Sequence, residues 1–510
     1  MALAQTAPSS TTGKRQLRMN IQIPATPRFD TSADFLELPY NELERRNVAL
    51  KREREAGHSD EYFAEKLKAE LQKEISVKAV TVGFSDVEGK LQMLDYNKAF
   101  LLESHDNLTF DGSSIHGFTK QNQSDLRLKL DWSTFRWLPA DVFGAGKVLI
   151  FADVYGRDGM PYEGDYRCNL KLLRDKMKAK HDATVNVAAE IEGFVFEGEN
   201  AEQNYDERIG FKLVTKGGYF HALPQDQLRQ FIDRLAEATR AMGFENEKDH
   251  PEVAPSSFEM NYRYTEVLHA ADQVQLYKVA ARQIAKNFGF TACFLPKPVP
   301  GINGSGMHTN LSISEKGKNI FYDATGENGL SEKAHHFILG VLAHGKDICL
   351  AINPSVNAYR RLDPKYEAPN QIKVSAIDRG AMIRIPLANE NSARIEIRSV
   401  APDANPYFAW YMVLKAGLKG MLADDKTVTA YKKAYTGKPK KLPGNIYDAI
   451  AEFKKSAFIK EVLTPENRQK YLELKEAVAH RSPLELGSRV KNSEVWYHHE
   501  VSNQVLWSEF

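Results

Sequence analysis

The chain has 510 residues, of which 42% are hydrophobic and 26% charged, an ordinary composition for a soluble globular protein. A chain of this length is too long for a single hydrophobic core, so two or more domains are expected. The 68 lysines and arginines nearly balance 67 aspartates and glutamates, which argues against a protein that binds nucleic acid over a broad basic surface. Three cysteines without CxxC spacing argue against a disulfide framework and favour a reducing compartment.

Two features bear on where the protein resides. No run approaches the roughly eighteen uninterrupted apolar residues of a membrane span, and the nearest, 337–352, is interrupted by His344, Lys346 and Asp347. Residues 1–29 lack Asp and Glu and carry four basic residues, as organelle transit peptides do, although a polar tail explains them equally well. We therefore expect a cytoplasmic protein with no membrane span.

The first part of the chain changes from helical to strand patterning. Residues 41–75 are highly charged with apolar residues at helical spacing, which predicts one or two surface helices. Alternation from 77 to 94 predicts a β-hairpin, and 148–154 predicts a further strand. The expected organisation is an N-terminal tail and helical extension over 1–75 and a small sheet-rich domain over 76–165.

After residue 165, helical and strand-like segments alternate, which indicates an α+β domain with one large sheet and helices packed against it. The predicted helices are 170–180, 225–242, 270–287 and 332–353, and the predicted strands are 185–196, 258–262, 306–313, 382–386 and 393–400. Residues 409–510 are expected to be mostly helical. We interpret 166–510 as one large catalytic domain.

Two acidic residues, Glu190 and Glu192, lie two positions apart in a predicted strand. Side chains at i and i+2 share a face of a strand, so these carboxylates repel each other unless a cation or a proton lies between them. A lone Glu-x-Glu is usually a solvated strand edge, but residues 188–196 are too apolar for that. The pair therefore favours a metal site.

Four further potential ligands follow, namely Glu252, Glu259, His308 and Glu396. Each alone is more often a structural residue than a ligand. Five glutamates and one histidine are mostly oxygen donors, which suit Mg²⁺ or Mn²⁺ far better than zinc. The set as a whole predicts a metal cluster.

Arginine is concentrated within 39 residues, several of them in otherwise apolar segments: Arg360, Arg361, Arg379, Arg384, Arg394 and Arg398. An arginine buried in such a segment needs an anionic partner. Internal salt bridges account for one or two, and the others suit bidentate binding of carboxylate or phosphate. Carboxylate-bound metals with clustered arginines predict phosphoryl transfer. The chain has neither a GxxxxGK[ST] loop nor the protein-kinase motifs, so an unusual nucleotide fold is expected.

At these residues the sequence resembles the glutamine synthetase family. The matching segments run in family order from about residue 76 to 475: 110–114 (FDGSS), 189–192, 216–220 (KGGYF), 252–255, 295–298 with 303–308, 353–354, 359–362, 366–369, Arg379, 383–386, 394–398 and 404–407. One segment alone is a weak signal, whereas the ordered set is very specific.

The resemblance implies a small β-grasp N-terminal domain and a large catalytic domain, in which helices flank a curved antiparallel sheet. It also implies a homo-oligomer, two stacked rings (a dodecamer) in the bacterial type, with active sites between neighbouring subunits. The implied substrates are glutamate, ammonium and ATP, with two to three Mg²⁺ or Mn²⁺ ions per site.

The resemblance also implies roles for individual residues. A first metal belongs to Glu192, Glu252 and Glu259, and a second to Glu190, His308 and Glu396. Glutamate is bound by Ser114, Gly304, Arg361 and Arg398; the nucleotide and the transferring phosphoryl group are bound by Asn310, Ser312, Arg379, Arg384 and Arg394. Asp111 of the neighbouring subunit takes the ammonium ion, and Glu367 closes over the site as a flap. From its sequence context alone, Asp111 is better explained as a turn-capping residue before Gly112.

The implied reaction has two steps: ATP phosphorylates the γ-carboxylate of glutamate, and ammonia attacks the acyl phosphate. Four positions depart from the family pattern: Ser256-Ser257 replace Gly-Gln, Gly380 replaces Ser, Asn310 replaces a common histidine, and Asn391 replaces a basic residue. These departures concern nucleotide affinity and leave the metal ligands in place. Tyr447 lies in a segment similar to the bacterial adenylylation loop, but an ordinary surface tyrosine explains it better.

Two alternatives stay open at this point. One is a ligase that joins glutamate to another amine, such as a polyamine or alkylamine, and retention of Asp111 and Glu367 favours ammonia over it. The other is a catalytically silent relative. Six intact ligand positions argue against a silent relative, because unused clustered carboxylates repel one another.

Overall fold

The computed structural model describes residues 37–201, 210–224, 226–362, 368–435 and 440–480. Its first elements are two helices, α1 (Tyr40–Glu55) and α2 (Asp60–Lys73), which confirm the predicted helical extension. Ser59 caps α2 by accepting a hydrogen bond from the N–H of Tyr62. Phe63, Leu67 and Leu71 recur at helical spacing and are fully buried.

A five-stranded sheet follows, in the order β2–β1–β5–β4–β3. Its elements are β1 (Ala79–Ser85), β2 (Leu91–Asn97), α3 (Lys98–Ser104), β3 (Leu108–Asp111), β4 (Asp125–Trp137), α4 (Ala140–Phe143) and β5 (Lys147–Tyr155). The pair β1–β2 is the predicted antiparallel hairpin, and β1 runs parallel to β5. In β4, buried leucines alternate with exposed polar residues from Asp125 to Leu130, because one face packs on the core.

The second sheet has eleven strands and carries the predicted site. Its strands are β6 (Ala183–Glu197), β7 (Asn246–Pro251), β8 (Ser257–Tyr262), β9 (Thr265–Glu266), β10 (Phe290–Cys293), β11 (Met307–Glu315), β12 (Lys318–Asn319), β13 (Gln371–Ser375), β14 (Ala381–Arg384), β15 (Ile395–Ile397) and β16 (Lys440–Lys441). Eight strands run in the order β16–β13–β14–β15–β11–β6–β8–β7, while β9 and β10 pair with β6 and β12 pairs with β11. The sheet is antiparallel as expected, except that β13 and β14 are parallel.

Helices pack against this sheet and form the C-terminal part of the described chain. They are α5 (Tyr166–His181), α6 (Gln227–Ala241), α7 (Val267–Asn287), α8 (Glu332–Ala343), α9 (Cys349–Ile352), α10 (Val356–Arg361), α11 (Pro406–Met421), α12 (Asp425–Ala434), α13 (Ile446–Lys455), α14 (Ala457–Val462) and α15 (Pro465–Ala479). The mainly helical C-terminal region was predicted correctly as far as residue 480. Over the described ranges, every helix is too short or too polar to cross a membrane.

One predicted helix is interrupted. The segment 332–353 forms α8 and α9, separated by a turn at 344–348. His344 ends α8, and its Nδ1 lies 2.8 Å from Oδ2 of Asp347, which is a local contact that competes with continued helix. The prediction of a single helix over this range was therefore wrong.

Strand β6 separates the core from the site. Val185, Val187 and Ile191 are buried on one face of the strand, while Asn186 and Glu190 are only partly buried on the other. Because side chains alternate along a strand, the apolar face packs on the helices and the polar face carries the candidate site residues. The core therefore lies on the helical side of the sheet.

Helix α1 connects the small sheet to the large part of the protein through Asn47, whose side chain is 3% exposed. The Asn47 amide donates to the carbonyl oxygens of Trp137 (2.9 Å) and Ala241 (2.8 Å) and accepts from the N–H of Trp137 (2.9 Å). Trp137 ends β4 and Ala241 ends α6. One side chain thus satisfies backbone groups on both sides of the junction.

Candidate active site

Strand register places the predicted ligands on one face of the large sheet. Glu190 and Glu192 are two residues apart on β6 and share a face. Glu259 on β8 lies opposite Glu192, and His308 on β11 lies opposite Glu190. Directly opposed side chains in antiparallel strands point to the same side, so these four side chains face one space.

The remaining two ligand candidates come from a neighbouring strand and a turn. Glu396 on β15 lies opposite Asn310 on β11 and opposite Arg384 on β14. Glu252 lies in the turn from β7 to β8, where its N–H donates to the carbonyl oxygen of Ser257 (2.8 Å). All six predicted ligands are therefore brought together in two groups of three.

The first group is Glu192, Glu252 and Glu259, whose nearest carboxylate oxygens all lie within 4.8 Å of one another. Burial and the charges of Glu192 and Glu259 raise the pKa of Glu252 to about 8. Neighbouring donors orient the other two carboxylates: the N–H of Gly306 donates to Glu192 (2.8 Å), and the amide of Asn261 donates to Glu259 (2.6 Å). Like charges this close call for a proton or a cation between them.

The second group is Glu190, His308 and Glu396, with ligand atoms within the same 4.8 Å. Nδ1 of His308 lies 3.4 Å from Oε2 of Glu190 and 3.8 Å from Oε1 of Glu396. Nε2 of His308 accepts from Arg361 (3.2 Å) and lies 3.7 Å from Oε1 of Glu192, so the imidazole lies between the two ligand groups. Burial opposes ionisation of Glu190, but hydrogen bonds from His308 and Asn310 outweigh it and lower the pKa of its carboxyl to about 2.

Glu396 is completely buried, so its charge needs partners. Arg398 Nη1 donates to Glu396 Oε1 (2.6 Å), and Arg384 Nε donates to Oε2 (2.5 Å). Arg384 ends β14 and Arg398 follows β15. The period-two pattern of 394–398 predicted that Arg398 shares a face with Glu396. Two cations therefore fix the orientation of one ligand carboxylate.

Five of the six ligand residues line a cleft of about 500 Å³, and the sixth, Glu396, is buried behind it. Its walls also include Arg361, Arg379, Arg384, Arg398 and Gly304, the residues to which the resemblance assigns substrate and phosphoryl binding. The remaining lining residues are Tyr219, Lys248, Val253, Ala254, Ser257, Asn303 and Ala368. Facing carboxylates and arginines across one cleft can bind cations and anions side by side.

Gly304 is required by a close backbone approach at the cleft wall. A Cβ at this position would lie 2.2 Å from the carbonyl oxygen of Pro296, which is backbone and cannot move aside. The same carbonyl oxygen accepts a hydrogen bond from the N–H of Ser305 (2.8 Å), which holds the loop that contains Gly304 against Pro296. The loop thus presents its backbone to the cleft.

Three predicted nucleotide-binding residues share the site face but do not line the cleft: Asn310, Ser312 and Arg394. Asn310 and Ser312 follow His308 at spacings of two along β11. Arg394 precedes β15 and donates through Nε to Oδ1 of Asn310 (2.9 Å). These residues flank the second ligand group.

Asp111 and Ser114 lie at the end of β3, outside the cleft of their own chain. Asp111 accepts from the N–H (2.9 Å) and hydroxyl (2.6 Å) of Ser113 and from the hydroxyl of Ser114 (2.8 Å). These bonds lower the pKa of Asp111, which caps the turn as its sequence context indicated. Glu367, the predicted flap residue, lies outside the described residues.

Comparison with known proteins identifies the family. The model for the catalytic domain of glutamine synthetase matches residues 163–486, and the model for its β-grasp domain matches 76–157. The chain belongs to the glutamine synthetase family. A glutamine synthetase of Methanosarcina mazei is 38% identical over 417 residues, covering 80% of this chain and 92% of that protein. One from Thermotoga maritima is 36% identical over 413 residues, covering 79% and 93%.

Two solved structures share the fold, the first of them a glutamine synthetase. That of Plasmodium falciparum superposes with a TM-score of 0.72 over 81% of this chain and 95% of its own, at 22% identity. A GmaS–ADP complex superposes with a TM-score of 0.68 over the same shares, at 24% identity. The β-grasp domain and the helix-flanked sheet expected from the sequence are thus confirmed.

Some cleft residues of this glutamine synthetase family member were not predicted from the sequence. Tyr219 lies in the motif 216–220 that was recognised without assigning it a role. Lys248 is exposed on β7, opposite Asn261, which in turn lies opposite Glu190. The side-chain alternation of a strand could have indicated Lys248 only if β7 had been predicted. The sequence of β7 (NEKDHP) is too polar to show a strand pattern.

The donor set fits the divalent ions that the glutamine synthetase family uses. The two groups together offer five carboxylates and one imidazole as ligands. Such oxygen-rich sites suit Mg²⁺ or Mn²⁺. Burial and the neighbouring charges of Glu192 and Glu259 both raise the pKa of Glu252, and a bound cation would offset them.

We predict that Mn²⁺ or Mg²⁺ raises the melting temperature and that EDTA reverses the effect. An ion at a hundred times its Kd stabilises the folded protein by about 2.7 kcal/mol, because it binds the assembled ligands and not the unfolded chain. Differential scanning calorimetry measures the shift. The double variant Glu192→Gln/Glu190→Gln should lose most of it, whereas Glu315→Gln, at the far end of β11, should retain it. An unchanged shift in the double variant would place the ions elsewhere.

Proposed function

We propose that this protein joins ammonia to the γ-carboxylate of L-glutamate at the expense of ATP, through γ-glutamyl phosphate, giving glutamine, ADP and phosphate. The observation that carries the proposal is the pairing of two carboxylate-rich ligand groups with four arginines in one cleft. This arrangement neutralises the charge of a phosphoryl group in transit while holding an acidic substrate beside it. Its sequence relatives are named glutamine synthetases.

Glutamate binding is assigned to Gly304, Arg361 and Arg398, with Ser114 as a further contact. Arg361 and Arg398 are both buried, and the first donates to the backbone carbonyl of the second (3.0 Å). A carboxylate substrate therefore meets guanidinium groups whose positions are already fixed, which lowers the entropy cost of binding. Burial lowers the pKa of Arg361 to about 10, so it remains a cation at neutral pH.

Phosphoryl transfer is assigned to Arg379, Arg384 and Arg394, with Asn310 and Ser312 beside the nucleotide. Arg384 contacts Glu396 and lines the cleft, so one guanidinium joins the second ligand group to the space for the phosphoryl group. When bound, Mg²⁺ or Mn²⁺ supplies charge neutralisation to the phosphates and to the γ-carboxylate. We assign one ion to each ligand group, and a third would be held largely by the phosphates.

Ammonia capture is assigned to Asp111 of a neighbouring subunit and to Glu367. Ammonium has no free lone pair, so a carboxylate must bind the cation and help remove its proton before attack. Asp111 is exposed and its pKa is lowered, so it is ionised at neutral pH. Because it lies outside its own cleft, the proposal requires a homo-oligomer, and two stacked rings are the arrangement we propose.

The test is phosphate release from ATP by the purified oligomer with Mg²⁺ and glutamate, comparing ammonium with a panel of amines. We expect strong release with ammonium and weak release with methylamine and polyamines. Glu259→Ala should abolish release, since it removes a ligand of the first group, whereas Glu315→Ala should leave it intact.

Two other outcomes would contradict the proposal. Release with another amine alone would make the protein a ligase for that amine while leaving the acyl-phosphate chemistry standing. No release with any amine, from a folded oligomer, would contradict an enzymatic function.

A further inference from the structure

The side chain of Asn310 connects the second ligand group to an arginine assigned to the phosphoryl group. Its Nδ2 donates to Oε1 of Glu190 (2.9 Å), and its Oδ1 accepts from Nε of Arg394 (2.9 Å). Asn310 is 5% exposed and does not line the cleft. Its amide therefore lies between two functional residues and has little surface for the nucleotide itself.

The orientation of this amide is fixed by its partners. Arg394 can only donate hydrogen bonds and ionised Glu190 can only accept them, so the oxygen must face the arginine and the nitrogen must face the carboxylate. Exchanging the two ends would leave two repulsive contacts in a buried place.

Arg394 has a second anchor at the carbonyl oxygen of Ser392, to which its Nη1 donates (3.0 Å). The bond to Asn310 fixes the other side of the guanidinium, so the two contacts together determine its plane. Without Asn310, Arg394 keeps one anchor and gains freedom to turn. Glu190 at the same time loses a donor that orients it toward His308.

We infer that Asn310 is a positioning residue that couples the second metal group to Arg394 and acts on nucleotide binding through that arginine. This inference rests on the proposed function and replaces the direct nucleotide contact expected for Asn310. One amide then serves both halves of the phosphate site, and an ion at Glu190 and an oriented Arg394 favour each other. An imidazole, with one donor and one acceptor in its neutral form, offers the same pair of bonds.

A double-mutant cycle tests the inference. Titration calorimetry with ADP, at Mg²⁺ saturating for each protein, compares wild type, Asn310→Ala, Arg394→Ala and the double variant. We expect Asn310→Ala to weaken ADP binding roughly tenfold in the wild-type background, and less than about twofold when Arg394 is already alanine, because the two act as one unit. Asn310→His should restore most of the affinity.

Asn261 is a matched control. Its amide donates to Glu259 of the first ligand group, and it is separated from Arg394 by strands β6 and β11. Asn261→Ala and Asn310→Ala should each weaken Mn²⁺ binding without nucleotide by roughly tenfold to a hundredfold, the usual cost of losing a residue that orients a ligand. Only Asn310 should show coupling to Arg394 in the ADP cycle.

Several outcomes are decisive. Additive effects of Asn310→Ala and Arg394→Ala would overturn the coupling, as would equal coupling by Asn261. If the alanine variant does not fold, Asn310→Ser, too short to span both partners, takes its place in the cycle. Wild type that binds no ADP and releases no phosphate would instead overturn the proposed function.

Discussion

Replacing Arg167 by methionine is expected to unfold the protein or to destabilise it by about 3–5 kcal/mol, the usual cost of removing one partner of a buried ion pair. Arg167 has no exposed surface. It donates to both carboxylate oxygens of Asp272 (2.9 Å each), to Asp153 (2.5 Å) and to Asp131 (3.1 Å). Without it, Asp131 and Asp153 still contact the cation Lys171, whereas Asp272 keeps a hydrogen bond from the neutral hydroxyl of Tyr407 (2.6 Å).

This ionic cluster also joins the two parts of the fold. Asp131 and Asp153 belong to β4 and β5 of the small sheet, whereas Asp272 belongs to α7 behind the large one. Arg167 stands near the start of α5, the first helix after the small sheet. Loss of this side chain should therefore separate the small sheet from the rest, in addition to lowering overall stability.

Urea unfolding followed by circular dichroism measures the effect on Arg167→Met. The control is Lys180→Met at the exposed end of the same helix, which should stay within about 0.5 kcal/mol of wild type. An Arg167→Met protein within about 1 kcal/mol of wild type would show that the cluster does not hold the junction.

A third acidic group lies beside this cluster and is better explained as structural. Asp153, Asp165 and Cys168 bring ligand atoms within 4.8 Å of one another. However, Asp153 is already paired with Arg167 and Lys171, and Asp165 accepts backbone N–H groups at the start of α5. Protein partners thus account for both carboxylates.

Glu396→Gln should lower kcat by at least about a hundredfold. Glutamine keeps the volume of the side chain but removes the charge that orients Arg384 and Arg398 and contributes to the second ligand group. Groups aimed in advance at developing charge are worth several kcal/mol in catalysis, so misaligning two arginines is costly.

Steady-state kinetics with varied ATP measures the loss, and calorimetry with Mn²⁺ alone should show weaker binding. Glu315→Gln, on β11 but paired with Lys333 outside the cleft, is the control. A Glu396→Gln enzyme with normal kcat and normal Mn²⁺ affinity would contradict the assignment of Glu396 to the second group.

The ligand groups could be predicted from the sequence because strand periodicity is local. Glu190 and Glu192 had to share a face of their strand, as did Arg394, Glu396 and Arg398. What brings the two sets together is pairing across β11, which no local pattern encodes. The resemblance to a family supplied that information.

Other features could not be predicted from the sequence because they depend on tertiary contacts. Arg167 was not singled out, since its partners lie 14 to 105 residues away along the chain. Ser256 adopts a left-handed backbone (φ 61°) where the family usually has glycine, and hydrogen bonds between its hydroxyl and the backbone of Thr215 hold it there. The replacement of glycine by Ser256 was visible in the sequence, but the hydrogen bonds that stabilise its backbone conformation were not.

The central claim, that glutamate is activated as an acyl phosphate, is tested most directly by isotope transfer. Glutamate labelled with ¹⁸O in its γ-carboxylate is incubated with ATP, Mg²⁺ and ammonium, and the released phosphate is analysed by mass spectrometry. Our account predicts one ¹⁸O atom in each phosphate, because the carboxylate oxygen bonds to phosphorus and leaves with it when ammonia attacks. Phosphate free of label would show that water attacks ATP directly, and would contradict the account.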